Sequence, residues 1–335
     1  MYKNVKIMPA SKFLNPKNDV AFRRIFGSER NKDILIHFIN DVLELKGSNR
    51  IKEVAFLSTI QEPEIAAKKE SVVDVLCKDE NGVQIIVEMQ VSPQEGFEKR
   101  AQYYAAKAYS RQLNKGKEEG ARYIDLKAVI FIAISNYIIF PDKIFYKSDH
   151  IILDKESYAQ DLKDFSFTFI ELPKFKITDV NLLTNIVEKW CYFFKHANET
   201  SEADLHKIIG SDTVIERAYE ELNQFNWTEE ELFTYEQEIK RIMDNRAAKD
   251  YRLNQVRVLE QKLLNAEEKI SKAEEKISKA EEKISKAEKE AAKAKTEGKE
   301  EEKFAMARKM LEKGKDLEEI IEFTGLDKGE IIKLK

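Results

Sequence analysis

Two short runs decide the fold: Ser71-Val72-Val73-Asp74-Val75-Leu76-Cys77 and Val83-Gln84-Ile85-Ile86-Val87-Glu88-Met89-Gln90-Val91. Both are rich in Val and Ile, which suit a pleated surface, and Asn81-Gly82 between them signals a hairpin. Asp74 stands in the middle of an otherwise apolar strand. A carboxylate there is costly unless it is paired, hydrogen-bonded or metal-bound. In the second run, alternation puts Gln84, Ile86, Glu88 and Gln90 on one face and Ile85, Val87 and Met89 on the other.

The length of the loop decides whether the two acids meet. A two-residue Asn81-Gly82 turn sets Asp74 opposite Met89, on the wrong face from Glu88. A three-residue loop, Glu80-Asn81-Gly82, sets Asp74 opposite Glu88 and wants glycine at its left-handed position, where Gly82 stands. The longer loop, or a bulge with the same effect, is the expectation. Two carboxylates so paired can share Mg²⁺, a hard ion that prefers oxygen ligands and keeps several waters. Such an ion can activate water and stabilise charge on a phosphate oxygen. Gln90 would sit beside it and orient the water or the phosphate. On spacing alone, Asp74 and Glu88 fit equally well as solvent-facing or salt-bridged strand residues.

A helix is predicted next, from about Phe97 to Asn114. Arg100, Tyr104, Lys107 and Arg111 recur at four, three and four residues and form one basic-aromatic stripe. Ala101, Ala105 and Ala108 line a neighbouring face that can approach a sheet closely. Basic side chains beside a metal site are what a phosphodiester substrate needs. The other reading of the stripe is an exposed face making ordinary salt bridges.

Upstream, a first helix is expected over Asn18–Phe26, ended by Gly27, and a second over Lys32–Leu45, closed by Gly47. Lys52–Leu57 is a short strand candidate. Downstream, the apolar run Leu126–Ile134 reads as a buried strand, with Lys143–Tyr146 and Ser166–Leu172 as further candidates. Residues 179 to about 240 look helical. The chain has 335 residues, 42% of them hydrophobic, enough for a real core; 35% are charged, against a typical value of about 25%. That excess points to a long solvated segment, and near residue 240 the aromatics nearly vanish while Lys, Glu and Ala take over. The net charge of −4 makes any nucleic-acid surface a local patch. Cys77 and Cys191 are far apart, which argues against a structural zinc site or a disulfide framework. With no export signal and no apolar run near the roughly 18 residues of a membrane span, the cytoplasm is the expected location.

The tail repeats itself. Glu267–Ala273, Glu274–Ala280 and Glu281–Ala287 all read EEKISKA, so Ile and Ala alternate at spacings of three and four, a narrow coiled-coil seam. Self-association through this helix is one reading; a solvated single helix held by Glu–Lys pairs is the other. Beyond it, a run from Lys299 to Lys313, a short helix capped by Asp316 and a last one capped by Asp327 would form a miniature bundle. Its turns are like those of helix-turn-helix modules. Glu318, Glu319 and Glu322 weigh against DNA readout there, so packing or docking is the expected role.

At these residues the chain resembles a known family. Asn18-Asp19-Val20-Ala21-Phe22 with Ile25-Phe26-Gly27 is similar to the opening of the PD-(D/E)XK nuclease family transposases, also called recombination-promoting or Rpn-family nucleases. Val73-Asp74-Val75-Leu76 and Val87-Glu88-Met89-Gln90 resemble the family's catalytic strands. Arg100, Tyr103 or Tyr104, Tyr109, Gln112-Leu113, Gly116 and Tyr123 resemble its following helix and loop. The tail from Met310-Leu311 through Thr324-Gly325-Leu326 is similar to extensions attached to this family.

The resemblance implies an α/β, restriction-endonuclease-like core over 12–175, a mixed sheet flanked by helices. A helical extension (176–240), a long charged helix or coiled coil (241–297) and a small helical module (298–335) would follow. It implies a bacterial Mg²⁺-dependent DNA endonuclease acting in recombination or mobile-element biology, with Asp74, Glu88 and Gln90 catalytic and Asp74 and Glu88 as metal ligands. Asp19 is a further ligand candidate, or a helix-start acid favoured by the dipole. Gln90 stands where the wider superfamily usually has Lys, which removes a positive charge. The competing functions are a nuclease-derived DNA- or protein-binding scaffold that self-associates through its tail, and a phage-defence nuclease.

Overall fold

A computed structural model describes residues 12–61, 71–113, 122–210 and 212–334. The chain divides into two units, Met1–Asn245 and Arg246–Lys335.

In the first unit, helices α1 (Asp19–Phe26) and α2 (Lys32–Val42) precede the strands. Asn18 caps α1: its side-chain oxygen accepts from the Val20 N–H at 2.9 Å. The apolar residues Leu43 and Leu45 do not prolong α2 as the sequence suggested. The chain turns out at Glu44, whose φ is +55°, three residues before Gly47.

The strands are β1 (Val54–Phe56), β2 (Ile60–Gln61), β3 (Ser71–Val72), β4 (Val75–Asp79), β5 (Gln84–Gln90), β6 (Val129–Ser135), β7 (Lys147–Ile151) and β8 (Phe165–Glu171); α3 (Phe97–Ser110) lies between β5 and β6. The main sheet has the order β1-β4-β5-β6-β8-β7. Its centre, β5, β6 and β8, is parallel, and β1, β4 and β7 run antiparallel to their neighbours. It is the mixed sheet flanked by helices that was expected. The Lys143–Tyr146 strand is not there: Ile144 and Phe145 are exposed, and the edge strand begins only at Lys147. Nor is Ser71–Cys77 one strand. Two residues, Val73 and Asp74, interrupt it, with β3 paired to β2 on one side and β4 in the main sheet on the other.

The hairpin register is the one that the three-residue loop requires: Val75 pairs with Val87 and Lys78 with Gln84. Asp79 closes the loop by donating its N–H to Val83 O, and Gly82 takes a φ of +85°. Alternation then sorts the sheet faces. Ile85, Val87 and Met89 meet one hydrophobic cluster, and Ile86 meets the other beneath α3, where Ala101, Ala105 and Ala108 are all buried.

The opposite face carries the larger core. Helices α4 (Ile186–His196), α5 (Glu202–Ile209) and α6 (Thr213–Leu222) follow the sheet, and α4 and α6 pack with α1 and α2. Phe26, Phe38 and Trp190 pack tilted or edge-to-face with centroids 5.1 to 6.0 Å apart, and the Trp190 indole donates to Asp41 at 2.9 Å. Residues 176–240 therefore complete the same core as the first two helices.

Helix α7 runs unbroken from Glu229 to Glu312, through Gly298. Its first turns belong to the first unit: Tyr235 is buried and its hydroxyl accepts from the Asn15 N–H at 2.9 Å. In the second unit, α8 (Leu317–Thr324) and α9 (Lys328–Ile332) fold against the end of α7 around Ala307, Ile320, Leu326 and Ile331. The caps are those expected, Asp316 and Asp327, and Gly325 ends α8 at a φ of +69°.

Candidate active site

The break at Val73-Asp74 builds the site. Val73 and Leu76 both join the cluster beneath α3 although they stand three residues apart, so the chain skips one step of the alternation here. At the skipped step the Asp74 backbone is free of the ladder and turns toward the end of β5. Its N–H donates to Glu88 Oε2 at 3.1 Å, while its own Oδ2 accepts from the Met89 N–H at 2.9 Å. Asp74 and Glu88 thus each hold the other's strand.

Glu88 is only 6% exposed. Burial, and then the charge of Asp74, push its carboxyl up to about 8, against the smaller opposing pull of the Asp74 N–H and of Arg100 and Arg23. Gln90 is equally buried. Its amide nitrogen donates to Ser92 O at 2.7 Å and its oxygen accepts from Arg100. The Arg100 guanidinium also reaches Glu88 Oε1 at 3.3 Å and donates to Gln94. Arg100 therefore stands over Glu88 and Gln90 rather than on an outlying stripe. It brings a positive charge to the Gln90 side chain.

The rest of the basic stripe spreads away from this point. Tyr104 lies under the Arg100 guanidinium, 5.6 Å from its ring centroid. Lys107 sits 6.0 Å over the Tyr103 ring. Arg111 donates to Ile60 O at 3.5 Å and lines a surface groove of about 480 Å³ with Lys78 and Gln84. Asp19 opens α1, 3.6 Å from Arg241, and its carboxyl is pushed up by burial and then by Asp74, which brings it within electrostatic reach of the site.

Two features were not anticipated. Arg23 pairs with Asp74 at 3.2 Å; it follows Asp19 by four residues on the same helix face, which was the available signal. Glu171 is fully buried at the end of β8. It accepts from the Ile139 and Phe140 N–H groups at 2.6 and 3.0 Å and pairs with Lys174 at 2.6 Å. So satisfied, it pins the loop after β6.

Among the described residues no three His, Cys, Asp or Glu side chains gather to hold a metal ion. Asp74 is hydrogen-bonded to Glu88 and its strand, and Arg100 reaches both Glu88 and Gln90, so the neighbouring donors are all oxygen: two carboxylates and one amide. Such a set suits a hard divalent cation that retains its own waters. A cation there would relieve the Glu88 carboxyl, which is buried beside a second acid. Gly116, part of the sequence resemblance, lies outside the described residues.

Two family models match the chain. The model described as "PD-(D/E)XK nuclease family transposase" matches residues 16–252. Residues 300–335 match "Rpn/YhgA-like nuclease family, C-terminal HTH domain", which moves the reading of the tail from a docking element to a DNA-binding one. No curated protein and no solved structure matches the chain. No helix among the described residues is long and apolar enough to cross a membrane.

Proposed function

The chain belongs to the PD-(D/E)XK nuclease family transposases, and on that premise we propose that it is a Mg²⁺-dependent DNA endonuclease. It hydrolyses phosphodiester bonds in recombination or the movement of mobile elements, with Asp74, Glu88 and Gln90 as its catalytic residues. The observation that carries this reading is the mutual grip of Asp74 and Glu88 at the strand break, with Arg100 across Glu88 and Gln90.

Asp74 and Glu88 would hold the cation, with Asp19 near enough to add charge. When bound, Mg²⁺ supplies a Lewis acid for the phosphate and a water of lowered pKa. The chain's own groups do the rest. Glu88, whose proton affinity is raised while the site is empty, gives up its proton when it takes the cation. Gln90, fixed by Ser92 and Arg100, orients the water or a phosphate oxygen. Arg100 lies against the charge that builds on the phosphorane-like transition state. Tyr104, Lys107 and Arg111 track the DNA backbone along α3, and the helix-turn-helix module adds a second hold on DNA. The long helix makes the protein a homo-oligomer.

A second reading has its own support. Both acids already have arginine partners, Arg23 for Asp74 and Arg100 for Glu88. A site neutralised in this way suits a nuclease-derived scaffold that binds DNA and self-associates without cutting. Incubating supercoiled plasmid with the purified chain in Mg²⁺, Mn²⁺ or EDTA separates the two. Metal-dependent nicking that vanishes in the D74A/E88A double variant supports the nuclease. Equal traces of nicking in both proteins leave the scaffold.

A further inference from the structure

In α7, spacings of three and four residues alternate without a break from Val256 to Ala294. Val256, Leu263, Ile270, Ile277 and Ile284 fill one core position of the heptad, a; after Leu259, alanine fills the other, d. The large side chains are exposed among the described residues: Ile270, Ile277 and Ile284 are each 58% exposed. This stripe is the seam of a coiled coil that lacks its second helix.

The charges say which helix that is. On the outer face, Glu268 pairs with Lys272 at 2.6 Å and Glu275 with Lys279 at 2.5 Å, all at heptad positions c and f. The lysines at g (Lys262, Lys269, Lys276, Lys283) and the glutamates at e (Glu267, Glu274, Glu281, Glu288) are different. For Lys269 to Glu281, no opposite charge lies three or four residues away along their own helix, so the intrahelical pairing that supports a solvated single helix is not available to them.

In a parallel, in-register pair, each g residue meets the e residue five positions on in the partner helix. Lys262 then meets Glu267, Lys269 meets Glu274, Lys276 meets Glu281 and Lys283 meets Glu288. The next pair, Glu290 with Lys295, reverses both signs and still matches. In an antiparallel pair, g faces g and e faces e, so lysine meets lysine and glutamate meets glutamate through the repeats. The alanines at d let the two backbones approach closely, and β-branched isoleucine is the residue that parallel dimers favour at a.

We infer that α7 binds a second copy of this chain as a parallel, in-register two-stranded coiled coil over Val256–Ala294. The two nuclease units of the pair are then joined to the same end of it. This rests on the self-association proposed above and commits it to a partner number and a direction.

The test uses the full chain. Sedimentation equilibrium should give twice 39.0 kDa, and A266C and A294C, each alone, should form a disulfide-linked pair on mild oxidation. The wild type, whose Cys77 and Cys191 are buried, should not. A K269E/K276E/K283E variant should dissociate at least ~10-fold more readily and recover when mixed with E274K/E281K/E288K, its helicity by circular dichroism unchanged. A mass of 39.0 kDa at every concentration overturns the inference and the self-association together. A doubled mass in which the two cysteine variants link only to each other overturns the parallel direction alone, and a tripled or quadrupled mass overturns the two-stranded state. Plasmid nicking by a monomer would sink this inference and spare the nuclease; a linked pair without nicking would do the reverse.

Discussion

Replacing Glu88 with glutamine should remove most of the pH dependence of the nuclease unit's stability. In the folded chain the Glu88 carboxyl is pushed up to about 8, first by burial and then by Asp74. Unfolded, it returns to about 4.3. Between those values the folded state holds a proton that the unfolded state has lost. The stability it represents is therefore complete below the unfolded value and is lost as pH rises through the folded one. Each pH unit in that window is worth about 1.4 kcal/mol, so going from pH 5 to pH 8 removes on the order of 4 kcal/mol at most. Glutamine at the same place is permanently neutral and keeps an oxygen for the Asp74 N–H. Denaturant unfolding in EDTA, followed by the fluorescence of Trp190 and Trp227, both buried in the first unit, gives the stability at each pH. The difference between wild type and E88Q isolates this carboxyl from Asp19, whose raised proton affinity acts with the same sign. The wild-type curve should fall steeply from pH 5 to pH 8 while that of E88Q stays flatter. Adding Mg²⁺ at pH 8 should stabilise the wild type more than the variant, since a cation displaces the same proton. If the two curves run parallel, Glu88 is not the strained acid described above.

Arg100→Ala should push the Glu88 inflection above 8, since a favourable charge 3.3 Å away is lost, and should lower cleavage on the order of 10²-fold; the same unfolding series and the plasmid assay read both. Gly82→Ala forces a non-glycine residue to φ +85° and sets its Cβ 3.2 Å from Lys127 Cγ. A loss of about 1–2 kcal/mol is expected by denaturant titration, with a disproportionate drop in cleavage if the loop shortens and Asp74 slips out of register. Asn40→Ala leaves the buried Ile51 N–H and C=O without their partners at 2.8 Å and should cost about 2–4 kcal/mol with metal-dependent cleavage intact at low temperature.

What the sequence made legible was what periodicity governs. Alternation in Gln84–Gln90 fixed which side chains share a face, and Gly82 fixed the loop and so the register of Asp74 against Glu88. The interruption at Val73-Asp74 was hidden because Val72 to Leu76 is apolar on both sides of it, as a buried strand would be. Arg100 was legible as a basic residue beside the site, but not as the group that bridges Glu88 and Gln90. That role depends on how closely the alanine face lets α3 approach the sheet. Arg23 and Glu171 escaped because their partners lie 51 and about 32 residues away, beyond any local pattern. The edge strand was misplaced because Ile144 and Phe145 look like core and are exposed, while Lys147–Ile151 is polar enough to look like loop.

The core shared by the first two helices and α4 has a consequence for the newborn chain. Asp41 and Trp190, which close that core together, are 149 residues apart. At a synthesis rate of about 5–20 residues per second, Phe22, Phe26 and Phe38 leave the ribosome roughly 7–30 s before the aromatic rings that will cover them. For that interval α1 and α2 lack the α4 rings that complete their shared core. A transcript that stops short of Trp190 yields a polypeptide that never escapes that condition, so premature termination in the second half of the nuclease unit should send the product to chaperones or aggregates rather than to a smaller working enzyme.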